Sequence, residues 1–141
     1  MSQNSTGVAL IADAMLRHIN TWPDKPAECK LKLEKKDVAF MMQPLSGTKE
    51  VRRYVNGSFR GQWPFALYVR IDGEDTASRL DALKCLNDAA CWLETSPMPE
   101  IGNNITAEKI DSELPSLAAQ YENGEEDYQV ILRLTFYQRR I

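Results

Sequence analysis

Every second residue from Tyr128 to Phe136 is apolar, namely Tyr128, Val130, Leu132, Leu134 and Phe136, while Gln129, Ile131, Arg133, Thr135 and Tyr137 form a mixed set. A period of two predicts a strand over 128–137 with one face buried and the other half-exposed. Phe65, Leu67, Val69 and Ile71 alternate in the same way with Ala66, Tyr68 and Arg70. Pro64 then stands at the strand's first position, where a missing N–H costs no ladder bond. The period changes near the N-terminus, where Val8, Ile11, Ala12, Met15, Leu16 and Ile19 follow helical spacing. This predicts an amphipathic helix over 6–20 with Ser5 or Thr6 as cap, and leaves 1–5 as a flexible end. TWPDKPAE breaks it with two prolines. A second helix is predicted over 76–95, with Leu80, Leu83, Leu86, Ala90 and Leu93 as its apolar stripe and Arg79, Asp81, Lys84 and Asp88 outward. Asp75 or Thr76 caps it and SPMPE stops it.

Shorter strands fit Cys29, Leu31 and Leu33, the apolar run 38–42, the β-formers of 51–55, and the segments 105–114 and 117–121. Asn56-Gly57 predicts a two-residue hairpin turn, since that dipeptide tolerates two positive φ angles. ENGEED reads as a solvated polar turn, and no internal repeat is evident. Helix, strands, helix, strands is the order of an α+β domain: a largely antiparallel sheet with two main helices on one face. The length, 141 residues, fits a single domain over 1–141.

Charge narrows the partners. A net charge of -3 argues against nucleic acid as the main partner, because phosphate binding needs a cationic surface. No apolar run reaches the roughly 20 residues of a membrane helix, and the N-terminus lacks the basic stretch of a secretory signal. The expectation is a protein that works in the cytoplasm where it is made, without a membrane.

The search for chemistry returns little. His18 is the single histidine and sits beside an apolar stripe; Cys29, Cys85 and Cys91 have no paired spacing. Those residues supply neither a zinc set nor a nucleophile–base pair. Gly47-Thr48-Lys49 lacks the glycine spacing of a phosphate loop, and ENGEED lacks calcium-loop spacing. The reading is therefore no enzyme, no cofactor and no metal. Arg52, Arg53, Arg70, Arg133, Arg139 and Arg140 form either a basic stripe or ordinary exposed strand positions. With Tyr54, Tyr68 and Tyr137 they suit a protein interface, where Tyr and Arg are favoured. A protein-binding adaptor, or a small enzyme built from Asp, Glu, Tyr and Arg, remains the alternative.

Tyr54, Gly57-Ser58 and Pro64-Phe65-Ala66-Leu67-Tyr68 follow one another in PLSGTKEVRRYVNGSFRGQWPFALYVRID. Arg79-Leu80 then precedes CLNDAACWLE, and Asp127-Tyr128 opens the closing strand. In this order the chain, from about residue 8 to its end, resembles the minor capsid proteins of long-tailed, siphovirus-type phages, a group related to tail terminators. The resemblance implies a tail-terminator-like fold and a structural virion role, under the labels minor capsid, head–tail joining or tail terminator. It implies a homo-oligomeric ring, generally a hexamer, at the head-proximal end of the tail tube. The partners it implies are other copies of the chain, the tail tube protein and the head connector, with DNA only passing through the lumen. The protein would reside in the virion, and in the host cytoplasm before assembly. A ring needs two different patches per subunit, and Tyr54, Asn56, Gly57, Arg133 and Tyr137 are the candidate interface residues. An acidic turn facing the lumen would repel DNA and let it slide.

Overall fold

The computed structural model describes residues 2–31, 39–46, 49–73 and 75–139, apart from the side chains of 2–8 and Lys49. Two helices, α1 (Ser2–Ile19) and α2 (Thr76–Thr95), lie among eight strands: β1 (Lys30–Leu31), β2 (Phe40–Pro44), β3 (Lys49–Arg53), β4 (Phe59–Ile71), β5 (Glu100–Gly102), β6 (Ile105–Ser112), β7 (Ser116–Gln120) and β8 (Glu126–Gln138). One sheet holds all of them in the order β1-β2-β4-β8-β6-β5, with β3 also beside β4 and β7 also beside β8. Every pairing is antiparallel except the parallel β1–β2. This is an α+β fold.

The alternation read in the sequence decides which face is covered. Trp63, Phe65, Leu67 and Val69 of β4 and Tyr128, Val130, Leu132, Leu134 and Phe136 of β8 share one buried cluster with both helices. Helix α1 contributes Ile11, Ala14, Met15 and Ile19, and α2 contributes Ala82, Leu86, Ala89, Ala90 and Leu93. Leu80 does not join them and is 60% exposed. It stands six positions before Leu86, about 120° round the helix at 3.6 residues per turn, so the stripe runs through Ala82 and Ala89 instead. Asp75 caps α2, its Oδ1 accepting from Ser78 N at 2.7 Å. Helix α1 begins at Ser2, ahead of the expected cap, and so takes in most of the end expected to be flexible. Leu33, Val38 of the run 38–42, Gly47, Thr48 and Arg140 fall outside the described residues.

The structure corrects the absence of a repeat. β4 and β8 have 13 residues each, and one constant shift along the chain carries β4 onto β8 and β3 onto β7. The same shift carries Tyr54-Val55-Asn56-Gly57 onto Tyr121-Glu122-Asn123-Gly124. Both turns close identically. Tyr54 N donates to Ser58 O and Gly57 N to Tyr54 O; Tyr121 N donates to Glu125 O and Gly124 N to Tyr121 O. Gly57 has φ 89° and Gly124 has φ 90°. Even the bulges match, lying between Glu50 and Arg52 and between Leu117 and Ala119. The chain is therefore two halves, each a helix followed by four strands. Phe65 pairs with Leu132, its own equivalent, so a pseudo-two-fold axis passes between them.

Two details of the hairpin differ from the sequence reading. Its loop has three residues, Val55-Asn56-Gly57, and only Gly57 takes a positive φ. Asn56 instead uses its Oδ1 to accept from Ser58 N at 3.0 Å. A type I turn closed by a left-handed glycine is the usual three-residue solution. Gly57→Val is expected to cost about 1–3 kcal/mol, since a β-branched residue resists this φ; equilibrium urea unfolding measures it. Pro64 lies inside β4 rather than at its start. Its carbonyl accepts from Leu45 N, so its nitrogen points to the same side, where β2 has ended and β3 has not begun. A proline is tolerated at such a break in the neighbouring strand.

Candidate interface

The face of the sheet away from the helices carries Arg60, Gln62, Pro64, Ala66, Tyr68 and Arg70 of β4. Beside them run Asp127, Gln129, Ile131, Arg133, Thr135 and Tyr137 of β8. Its centre is closed. Met41, Ala66 and Tyr68 are buried together, with Leu45 and Ile131 against them. The polar groups gather towards the two ends, in clusters related by the pseudo-two-fold axis.

At one end Arg60 Nη1 donates to Tyr54 Oη at 2.6 Å, and its guanidinium forms a two-bond pair with Glu108. Arg60 also lies over the Tyr137 ring at 5.6 Å, and the Tyr54 and Tyr137 rings meet at 6.1 Å. Arg52 also lies over the Tyr54 ring, at 5.3 Å. The Arg60 pairing holds the Glu108 carboxyl below the usual carboxylate range. At the other end Arg70 grips Asp127 in fork geometry, Nε to Oδ1 at 2.7 Å and Nη2 to Oδ2 at 3.0 Å. Tyr121 Oη donates to Asp127 Oδ2 at 2.6 Å, and Arg70 lies over the Tyr121 ring at 5.0 Å. That bond to Asp127, ahead of burial, raises the Tyr121 hydroxyl above its ordinary value. In both halves the tyrosine that opens the turn bonds the second residue of the next strand. That residue then meets its partner across β4 and β8, Tyr137 or Arg70.

Of the candidate residues, the structure brings Tyr54 and Tyr137 together, with Asn56 and Gly57 in the adjoining turn. It does not bring Arg133 to them. Arg133 stands four residues from Tyr137 on β8, about 13 Å at the rise of a strand, and bonds Glu113 at 2.6 Å across to the 113–115 junction. Sequence reading missed Arg60, Glu108, Tyr121 and Asp127. The repeated Tyr-x-Asn-Gly was the available signal for Tyr121.

One of the two readings of the arginines falls, and one expectation needs correction. The arginines do not make a basic stripe, because Arg53 pairs with Glu50, Arg70 with Asp127 and Arg133 with Glu113. Nor is ENGEED wholly a solvated turn. Glu126 and Asp127 belong to β8 and are buried, and Glu126 is held by Arg79, Gln120 and Tyr128. Arg79 first and Gln120 next keep its carboxyl below the usual range. Glu122 and Glu125 alone of that acidic run remain in the turn.

His18 packs between the helices, its ring stacked on Trp92 at 4.9 Å and its Nε2 3.3 Å from Ser96 Oγ. Burial pushes its pKa down from 6.5. Burial likewise pushes the Cys29 thiol up to about 12, whereas Cys91 is exposed on α2. Among the described residues, no three His, Cys, Asp or Glu side chains are grouped to hold a metal ion, and no helix is long and apolar enough to cross a membrane. Comparison with models of known protein families and with curated proteins found no match.

Proposed function

We propose that this protein is a non-enzymatic structural part of a long-tailed phage virion, a tail terminator or head–tail joining minor capsid protein. It assembles with other copies as a ring, a hexamer in the family it resembles, at the head-proximal end of the tail tube. One side of the ring meets the tube protein and the other the head connector, and DNA passes through the lumen without being held. The protein waits in the host cytoplasm and ends in the virion. What supports this reading is that the segments carrying the resemblance are neighbours in space. The β3–β4 hairpin and β8 form the middle of one sheet, and α2 packs on them.

The test is attachment. Purified protein mixed with tail tubes that lack their terminator is expected to cap one end of each tube, visible by negative-stain microscopy, and to show assemblies near six subunits by native mass spectrometry. Protein that stays monomeric when concentrated and ignores tube ends overturns the reading. Arg133→Glu refines it. The Arg133–Glu113 pair is about half exposed on both sides, and such pairs contribute at most about 1 kcal/mol. The variant is expected to melt nearly as the parent does and to join tails more weakly, through a reversed charge at a matched surface. Melting that falls steeply would place Arg133 inside the subunit instead.

A further inference from the structure

Most large apolar side chains that the fold leaves exposed are concentrated on two segments. Val51 and Val55 lie on β3 and its turn; Leu114, Leu117 and Tyr121 lie on β7 and its flanks, which leaves only Leu31 and Leu80 elsewhere among the described residues. Val55 is fully exposed and Leu114 is 85% exposed. Among the described residues β3 pairs only with β4, and β7 only with β8. Each strand therefore keeps an outer row of backbone donors and acceptors, which is a template for another strand.

The internal repeat makes these two edges geometric equivalents, and their side chains make them opposites. Both carry a bulge at the same position. A bulge blunts an edge against unselective pairing, so the strand that fits is one bulged to match. Edge β3 ends in Arg52 and Arg53. Edge β7 (Ser-Leu-Ala-Ala-Gln) has no charge of its own and lies between Glu113 and Glu122.

We propose that β3 of one copy pairs antiparallel with β7 of the next copy, so that one sheet continues from subunit to subunit. This takes the ring proposed above as its premise and names the contact that closes it. With the two bulges set against each other, Val55 comes opposite Leu114 and Val51 opposite Ala118. The Arg52 end of β3 then lies beside the Glu113 end of its neighbour's β7. Pairing β3 with β3, bulge against bulge, would set Arg52 against Glu50 but Arg53 against Lys49, so that its charges gain little, and it would leave β7 uncovered. Pairing β7 with β7 would bring the flanking glutamates together and leave β3 uncovered. Head-to-tail pairing covers both edges, and it is the symmetry class that closes into rings.

Two blocked variants test this. Val51→Glu closes the β3 edge and Leu117→Lys, which falls opposite Arg52 in this register, closes the β7 edge; Val55→Glu and Leu114→Lys are second choices should either fail to fold by circular dichroism and melting. Each variant alone is expected to self-associate roughly tenfold or more weakly than the parent, since the contact then buries an unpaired charge against Ala118 or a like charge against Arg52. Mixed in equal amounts, the two are expected to form a dimer of one chain of each kind and nothing larger, read by native mass spectrometry. Each chain in that pair still offers one intact edge. Dimers of Val51→Glu alone overturn the proposal in favour of β7–β7 pairing. Assemblies of Leu117→Lys like the parent's overturn it, as does a parent that stays monomeric both when concentrated and on tube ends. Mixed dimers from a protein that never caps a tail tube leave the edge pairing standing and remove the tail reading. Normal rings on tubes from both variants do the reverse.

Discussion

Arg70→Met is expected to cost about 3–5 kcal/mol of folding stability. The reason is the state it leaves behind. Asp127 is 0% exposed and Arg70 is its two-bond partner. A buried pair contributes little net stability, because desolvation offsets the attraction, but removing one partner strands the other charge in a medium that solvates it poorly. Tyr121 still donates one hydrogen bond to Asp127, which softens the loss and cannot neutralise a charge. Urea unfolding of the single variant and of Arg70→Met with Asp127→Leu separates the two effects. The double variant is expected to recover most of the lost stability, as replacing both partners by apolar groups often does. A single variant within about 1 kcal/mol of the parent would show that Asp127 is solvated in solution.

Leu132→Ala is expected to cost about 2–5 kcal/mol, through lost burial and the cavity left behind. Leu132 is fully buried on the helix-covered face and pairs with Phe65 at the pseudo-two-fold axis, with neighbours from both halves of the chain in one cluster. A charged residue at 132 is expected to prevent folding. The check is the urea midpoint and slope: an unchanged slope with a lower midpoint marks simple destabilisation. A loss below about 1 kcal/mol would mean that the core repacks and the axis is not tightly filled.

The sheet's two faces thus answer to different rules. Leu132 reports on packing and Arg70 on charge, and in the proposed ring Arg133 and the β3 and β7 edges would report on assembly. An account of any substitution in β8 has first to say which face it occupies.

What the sequence determined by itself is the set of elements with one buried side. β8, β4, α1 and α2 were legible because burial of one face imposes a local period on neighbouring residues, and the cap at Asp75 because its bond to Ser78 is local. The resemblance adds an expectation about assembly that no local rule contains. Tertiary structure alone decided the rest. Pro64 sits within a long strand because the neighbouring edge is interrupted there, which no residue near Pro64 announces. Glu126 and Asp127 read as part of an acidic turn because their partners, Arg79 and Arg70, come from distant parts of the chain. The repeat was hidden for a related reason. Between β3–β4 and β7–β8 only Tyr54, Asn56, Gly57, Gln62 and Leu67 keep their identity in the second copy. Turn geometry requires the glycine, and the asparagine bonds the turn's own backbone, whereas strand positions require only a face and a size. Side chains can therefore diverge while the backbone that they bury keeps the same path.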